Sequence, residues 1–212
     1  MTGMMMRTCT VTGWSTGDNP VCTAICPDLP ALVNGGISYN PTTTPRLQGA
    51  MVTHFCTVVG YQLSSSTITR TCQSTRMWSG SSLICNPVSC GSPPTITNGM
   101  MISSTGTTFG ETATYTCSTG YQRSGSATIT CQASGSWSTA PVCTAICDDL
   151  PALANGIIVY NPTSTPRLQG TTATHFCTVA GYQLSSSTTT RTCQSNRTWS
   201  GSPIACERNV SI

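Results

Sequence analysis

Polar and apolar positions alternate along this chain in short bursts. In "ETATYTC" (111–117), "ATITC" (127–131) and "TITRTC" (67–72), β-branched or aromatic residues take turns with polar ones at period two. That is the pattern of a half-buried strand. Turn chemistry separates the bursts: "NGG" (34–36), "VVGY" (58–61), "WSGSS" (78–82), "TNGM" (97–100) and "SGS" (134–136). No window of 11 or more residues holds a 3.6 period. The pattern predicts several short strands, no helix, and small all-β units.

Punctuation this regular calls for a search for internal repeats. Aligning residue i with i+121 places Cys26, Cys56, Cys72 and Cys85 on Cys147, Cys177, Cys193 and Cys206, and only 15 of the 64 positions in 22–85 differ from 143–206. Between the copies, Cys90, Cys117, Cys131 and Cys143 follow the same four-cysteine order in shorter form. The start of the chain, "TCTVTGWSTGDNPVCTAIC", matches the back half of that shorter unit, with Cys9, Trp14 and Cys22. The chain therefore reads as a half unit at 1–22, complete units at 26–85, 90–143 and 147–206, and a tail at 207–212. Cys9 and Cys22 are expected to lack partners here, and the sequence reads as a fragment. "MTGMMMRTCT" also lacks the apolar core of a secretory signal.

Composition fits small stapled units. Charged residues make up 7% and aromatics 6% of the chain, while 14 of 212 residues are Cys. Units that cannot bury enough apolar surface are commonly held by disulfides, in an oxidising compartment. The nine basic residues, all Arg, are scattered against six acids, which does not form the clustered basic face of a nucleic-acid binder. Residues 77–110 carry no charge, but Ser, Gly, Pro and Thr interrupt them throughout, so no membrane insertion is expected.

The units resemble the complement control protein module, also called the sushi domain or short consensus repeat. In the shorter unit "SPPTITNG" follows Cys90, "FGETATYTCSTGYQ" contains Cys117, "TITCQASGSWS" contains Cys131, and "PVC" ends at Cys143. The longer units carry "PALVNG", "FCTVVGYQL" and "RTCQSTRMWSG", with their counterparts near the end of the chain. Four cysteines allow three pairings. The resemblance implies first to third and second to fourth: Cys26–Cys72, Cys56–Cys85, Cys90–Cys131, Cys117–Cys143, Cys147–Cys193 and Cys177–Cys206. It also implies tandem disulfide-stapled β modules arranged as an elongated rod, with Trp78, Trp137 and Trp199 as the main apolar core residues. One departure stands out. The family's aromatic two residues before the second cysteine is Tyr115 in the shorter module but His54 and His175 in the longer ones. Alternation turns these histidines towards the core and Phe55 and Phe176 outwards, unless a bulge rotates the strand.

Little in the chain suggests catalysis or metal chemistry. The C-x-x-x-C pairs at 22–26 and 143–147 sit at module junctions, and the other cysteine spacings do not bring two close ligand pairs together as a structural zinc site does. Two histidines and six acids over three modules leave little for a triad or a carboxylate pair. No cofactor is implied and the chain is read as non-enzymatic. Two loops, "YNPTTTPRLQG" (39–49) and "YNPTSTPRLQG" (160–170), are Pro-bracketed and each carries one Arg. On extended, solvated loops, Arg46 and Arg167 are the expected ligand contacts. Asn196 and Asn209 begin N-x-[ST] motifs and are expected glycosylation acceptors.

The expected function is an extracellular array, secreted or part of an ectodomain, that binds or adheres to a protein or glycan ligand through shallow surfaces. Three alternatives stand beside it: a complement-type regulator, the non-catalytic arm of a modular serine protease, and a Ser/Thr-rich matrix component.

Overall fold

A computed structural model describes residues 23–209, together with the backbone of the short strands Cys9–Thr10 and Gly13–Trp14. The side chains of Cys9 and Cys22, and most of the half module at 1–22, lie outside the described residues. By packing, the chain divides into two compact units. One ends at Ser89 and includes Ala133–Gly135; the other comprises Cys90–Gln132 and Ser136 onward.

Every regular element among the described residues is a β-strand. Each module is built on a three-stranded antiparallel sheet whose central strand ends at the second cysteine. In the first module Met51–Cys56 lies between Gly35–Asn40 and Thr69–Thr71. In the second, Thr112–Cys117 lies between Gly99–Ser104 and Thr128–Thr130. In the third, Thr172–Cys177 lies between Gly156–Asn161 and Thr190–Thr192. The alternation seen in the sequence is the cause: Ala113 and Tyr115 are each 1% exposed, and Thr112, Thr114 and Thr116 face away from that core. A second pairing closes the far end of each module, such as Tyr61–Leu63 with Cys85–Pro87. Tyr182–Leu184 pairs with Cys206–Arg208 in the same way, so the third module continues two residues past its last cysteine.

The disulfides join first to third and second to fourth cysteines: Cys26–Cys72, Cys56–Cys85, Cys90–Cys131, Cys117–Cys143, Cys147–Cys193 and Cys177–Cys206. They span separations of 26 to 46 residues, each contributing about 3–4 kcal/mol in the chain-entropy account. Their sulfurs are also core atoms. In the first module Cys26, Cys72, Ala50, Val52 and Trp78 form one buried cluster, with Leu29, Ile37 and Tyr39 against it.

The tryptophans are less uniform than expected. Trp78 is 6% exposed, whereas Trp137 packs against its core from a half-buried position and Trp199 is half-buried beside Tyr160. In the second module the largest fully buried side chain is Tyr115. What the three tryptophans share is a hydrogen bond. Each indole N–H donates to the carbonyl of the residue after the first cysteine: Pro27 at 2.8 Å, Gly91 at 3.1 Å and Asp148 at 2.8 Å.

The Asn-Gly pair in each module does two separate jobs. Asn34, Asn98 and Asn155 take the left-handed conformation, each with φ 59°, which Asn tolerates better than most residues. The following Gly35, Gly99 and Gly156 have ordinary φ but lie under the second disulfide. A Cβ there would stand 2.8, 2.9 and 2.9 Å from the sulfurs of Cys85, Cys143 and Cys206.

Two outcomes follow. Gly99→Ala forces the strand off the Cys117–Cys143 disulfide and is expected to destabilise the second module by about 1–3 kcal/mol, read by urea denaturation of the oxidised chain. Burial raises the Tyr115 phenol above its ordinary pKa of 10.0. The neutral phenol is the form the fold holds, so the associated stability is complete below pH 10 and is lost as pH rises beyond it. Denaturation of the second module across that range is expected to show the decline, and Tyr115→Phe to lessen it.

Candidate interaction surfaces

The histidine strands keep their alternation. Gly35–Asn40 pairs with Met51–Cys56 residue for residue, as Gly156–Asn161 does with Thr172–Cys177, with no bulge. His54 and His175 are accordingly 4% and 3% exposed, while Phe55 and Phe176 face outwards at 44% and 48%. Each Nδ1 lies against a backbone carbonyl of the neighbouring chain segment, Ile68 at 3.3 Å and Thr189 at 3.2 Å. A carbonyl only accepts, so Nδ1 carries the proton in both.

Arg46 and Arg167 occupy a different environment from the exposed loop contacts expected of them. Arg46 is 8% exposed. Its guanidinium lies 3.8 Å over the Tyr39 ring, its Nε donates to Asp28 at 2.8 Å, and its Nη1 donates to the carbonyls of Pro41, Thr42 and Thr43 at 2.9–3.1 Å. Arg167 repeats this over Tyr160, with Asp149 and the carbonyls of Thr163 and Ser164. The Pro-bracketed loop is thus wrapped around its own arginine. Tyr39 continues the stack onto Trp78, with ring centroids 5.9 Å apart. The sequence shows the Arg but not that the loop's carbonyls converge on it. These arginines are buried braces, and the expectation that they present themselves to a ligand is corrected.

The junction between the second and third modules is a strand. Val142–Cys147 pairs with Tyr121–Ser124 of the second module and, through Ile146 and Cys147, with Arg167–Leu168 of the third. "TAI" is therefore ordered, with Ala145 1% exposed. Cys143, Ala145 and Cys147 share the buried face by strand alternation. Arg197 adds a contact that the sequence reading missed. From the third module it donates to the Thr119 carbonyl of the second at 3.3 Å, and its guanidinium lies 5.9 Å from the Tyr121 ring centroid. Gly120 makes room, because a Cβ there would collide with the guanidinium.

Asn196 is exposed, and its Oδ1 accepts from the Thr198 amide at 3.1 Å and hydroxyl at 2.7 Å. Asn209 is exposed, but Ser211 of its motif lies outside the described residues. Among the described residues, no three His, Cys, Asp or Glu side chains come together as a metal site, and no helix is long and apolar enough to cross a membrane.

Sequence reasoning also overlooked an apolar edge. Gly99–Ser104 is an outer strand of its sheet, and Met100, Met101 and Ile102 on it are 60%, 47% and 60% exposed. A register shift between Met101 and Ser103 leaves Ile102 unpaired, so three successive apolar side chains reach solvent. The signal was present as "MMI", a run that breaks the alternation. In the third module Ile157, Val159 and Phe176 form a comparable face, each about half exposed, with Ile157 and Phe176 directly paired.

These are the features of a stapled recognition module, and the comparisons with known proteins agree. The Sushi repeat (SCR repeat) family matches residues 26–85, 90–143 and 147–206. The chain belongs to this family. It is 33% identical over 208 residues to the rat "Sushi, von Willebrand factor type A, EGF and pentraxin domain-containing protein 1", covering 97% of this chain but 6% of that protein. It is 29% identical over 210 residues to "Complement control protein C3" of vaccinia virus (strain Western Reserve), covering 97% of this chain and 76% of that protein. Mouse "Complement receptor type 2" is 33% identical over 178 residues, 78% of this chain and 17% of the receptor.

Replacing Arg46 by Ala strands the converged carbonyls and removes the cation over Tyr39. Unfolding of the first module by urea is expected to shift by about 2–3 kcal/mol. A change under 0.5 kcal/mol would mark Arg46 as a surface residue after all.

Proposed function

We propose that this chain is part of a non-enzymatic extracellular array that recognises a protein ligand, with the exposed apolar strand of the second module at the centre of the contact. The supporting observation is Met100–Met101–Ile102, successive apolar side chains on a sheet edge. Exposed apolar side chains grouped on a small module mark interaction sites more often than isolated ones do. The third module brings a similar face in Ile157, Val159 and Phe176, and repetition supplies avidity where each contact is shallow. Met suits such a surface because its unbranched chain adapts to a partner.

A complement-type regulator is the second reading. It is favoured by the alignment of nearly the whole chain with most of a viral complement control protein. Asn196 is proposed to carry an N-glycan, since it is exposed and its side chain already engages the motif threonine. Asn209 is the second proposed acceptor.

Beads coated with the oxidised chain, presented to cell layers and to surfaces bearing an activated complement component, test these readings. Capture by cells that falls about fivefold or more in the Met100→Ser/Ile102→Ser variant is expected, as for loss of a central apolar anchor. Undiminished capture contradicts the proposed surface. Capture by the complement surface alone selects the second reading.

A further inference from the structure

The substitution of His for Tyr leaves a hollow in the first module. In the second module Tyr115 fills this position, 1% exposed, and its hydroxyl donates to the Pro94 carbonyl at 2.7 Å. Pro94 is the fourth residue after Cys90, as Pro30 is after Cys26 and Pro151 after Cys147. His54 and His175 occupy the tyrosine's place, and neither imidazole bonds to its proline carbonyl. In the first module the space left is a pocket of about 300 Å³ lined by Pro30, Leu32, Leu83, Ile84, His54 and Arg70. That volume is at the lower end for small-molecule sites and well above the roughly 150 Å³ that admits benzene.

From this geometry we infer that the pocket of the first module binds a phenol, an aromatic ring carrying one neutral hydroxyl. The walls are aliphatic, which suits the ring. Two acceptors on its lining residues remain without a protein donor among the described residues: the carbonyl of Pro30, an exposed residue, and Nε2 of the buried His54, whose proton sits on Nδ1 facing Ile68. A hydroxyl supplies one donor, which either acceptor can take. Cationic ligands are disfavoured by Arg70. Anionic ones are disfavoured by the two acceptors, and by the commitment of Arg70 Nε and Nη2 to the carbonyls of Trp78, Ser79 and Gly80. The same chemistry comes from a free small phenol or from a tyrosine side chain of a partner.

The third module is the internal control. There Pro203 and Ile204 stand where the first has Ser82 and Leu83, and the corresponding pocket measures about 80 Å³. That is too small for the ring.

The test titrates p-cresol into the full oxidised chain while the carbon–proton resonances of both histidine rings are followed by NMR. His54 is expected to shift saturably in the millimolar range while His175 does not. Toluene is expected to bind about fivefold more weakly, the value of one net hydrogen bond, and 4-methylbenzoate and 4-methylbenzylamine weaker still. His54→Tyr, which copies the second module and is followed through the methyl resonances of the lining Leu83 and Ile84, is expected to abolish binding. Should that variant fail to fold, Ser82→Pro/Leu83→Ile, which copies the third module, is expected to do the same. Equal shifts with N-acetyltyrosinamide assign the site to a partner's tyrosine; shifts with p-cresol alone assign it to a free phenol. The inference is overturned by an unshifted His54, by toluene matching p-cresol, by tighter binding of the acid or amine, or by full binding in the pocket-filling variant.

Discussion

Each module depends on two disulfides seated where a larger domain would place more apolar side chains. The first joins the module's entrance to its third cysteine and forms part of the core, with sulfurs beside Val52 and Trp78. The second lies on the glycine of the Asn-Gly pair, so close that no side chain fits beneath it. Chain closure on this scale contributes as much as the net stability of a small domain. With that closure in place, short strands, a modest core and exposed apolar faces are affordable in a chain with only 6% aromatic residues.

The near-duplicate modules show how the framework tolerates change. Tyr115 gives way to His54 and His175 with the pairing between this position and the Asn-Gly glycine unchanged, although the bulge that follows Met101 is absent from the histidine modules. What changes is the interior: a tyrosine hydroxyl satisfied by a prolyl carbonyl is replaced by an imidazole that reaches the chain segment just before the neighbouring strand. The longer modules use other bracing, with Arg46 and Arg167 each held between a tyrosine ring, a carboxylate and loop carbonyls. Only the arginines are buried in these ion pairs, the carboxylates being more than half exposed. The carbonyl and ring contacts therefore matter more than the charge pair.

Much of the fold was legible because it is written in local signals. Period two marked the strands around Tyr115 and Ile129, turn residues marked their ends, and the cysteine order marked the modules. Alternation pointed His54 inwards and Phe55 outwards, but the sequence left a bulge open, and it is the unbroken pairing of the strand that decides the matter. The surfaces were less legible, since they depend on contacts between residues far apart in sequence. Arg46 looked exposed because its loop is polar, yet that polarity is a ring of carbonyls turned inward. Arg197 looked like background because its partners, Thr119 and Tyr121, lie 78 and 76 residues earlier. The bulge that releases Ile102 has no single-residue signature, although the run "MMI" was a clue.

The central claim is that C-x-x-x-C at 143–147 is a joint, with its two cysteines closing different modules while sharing one face of one strand. Peptide mapping without reduction, with cleavage between Cys143 and Cys147, tests it directly. The account predicts that Cys143 is recovered linked to the Cys117 peptide and Cys147 to the Cys193 peptide. Recovery of both cysteines on one partner peptide, of either as a free thiol, or of metal bound in stoichiometric amount to the unreduced chain would contradict it.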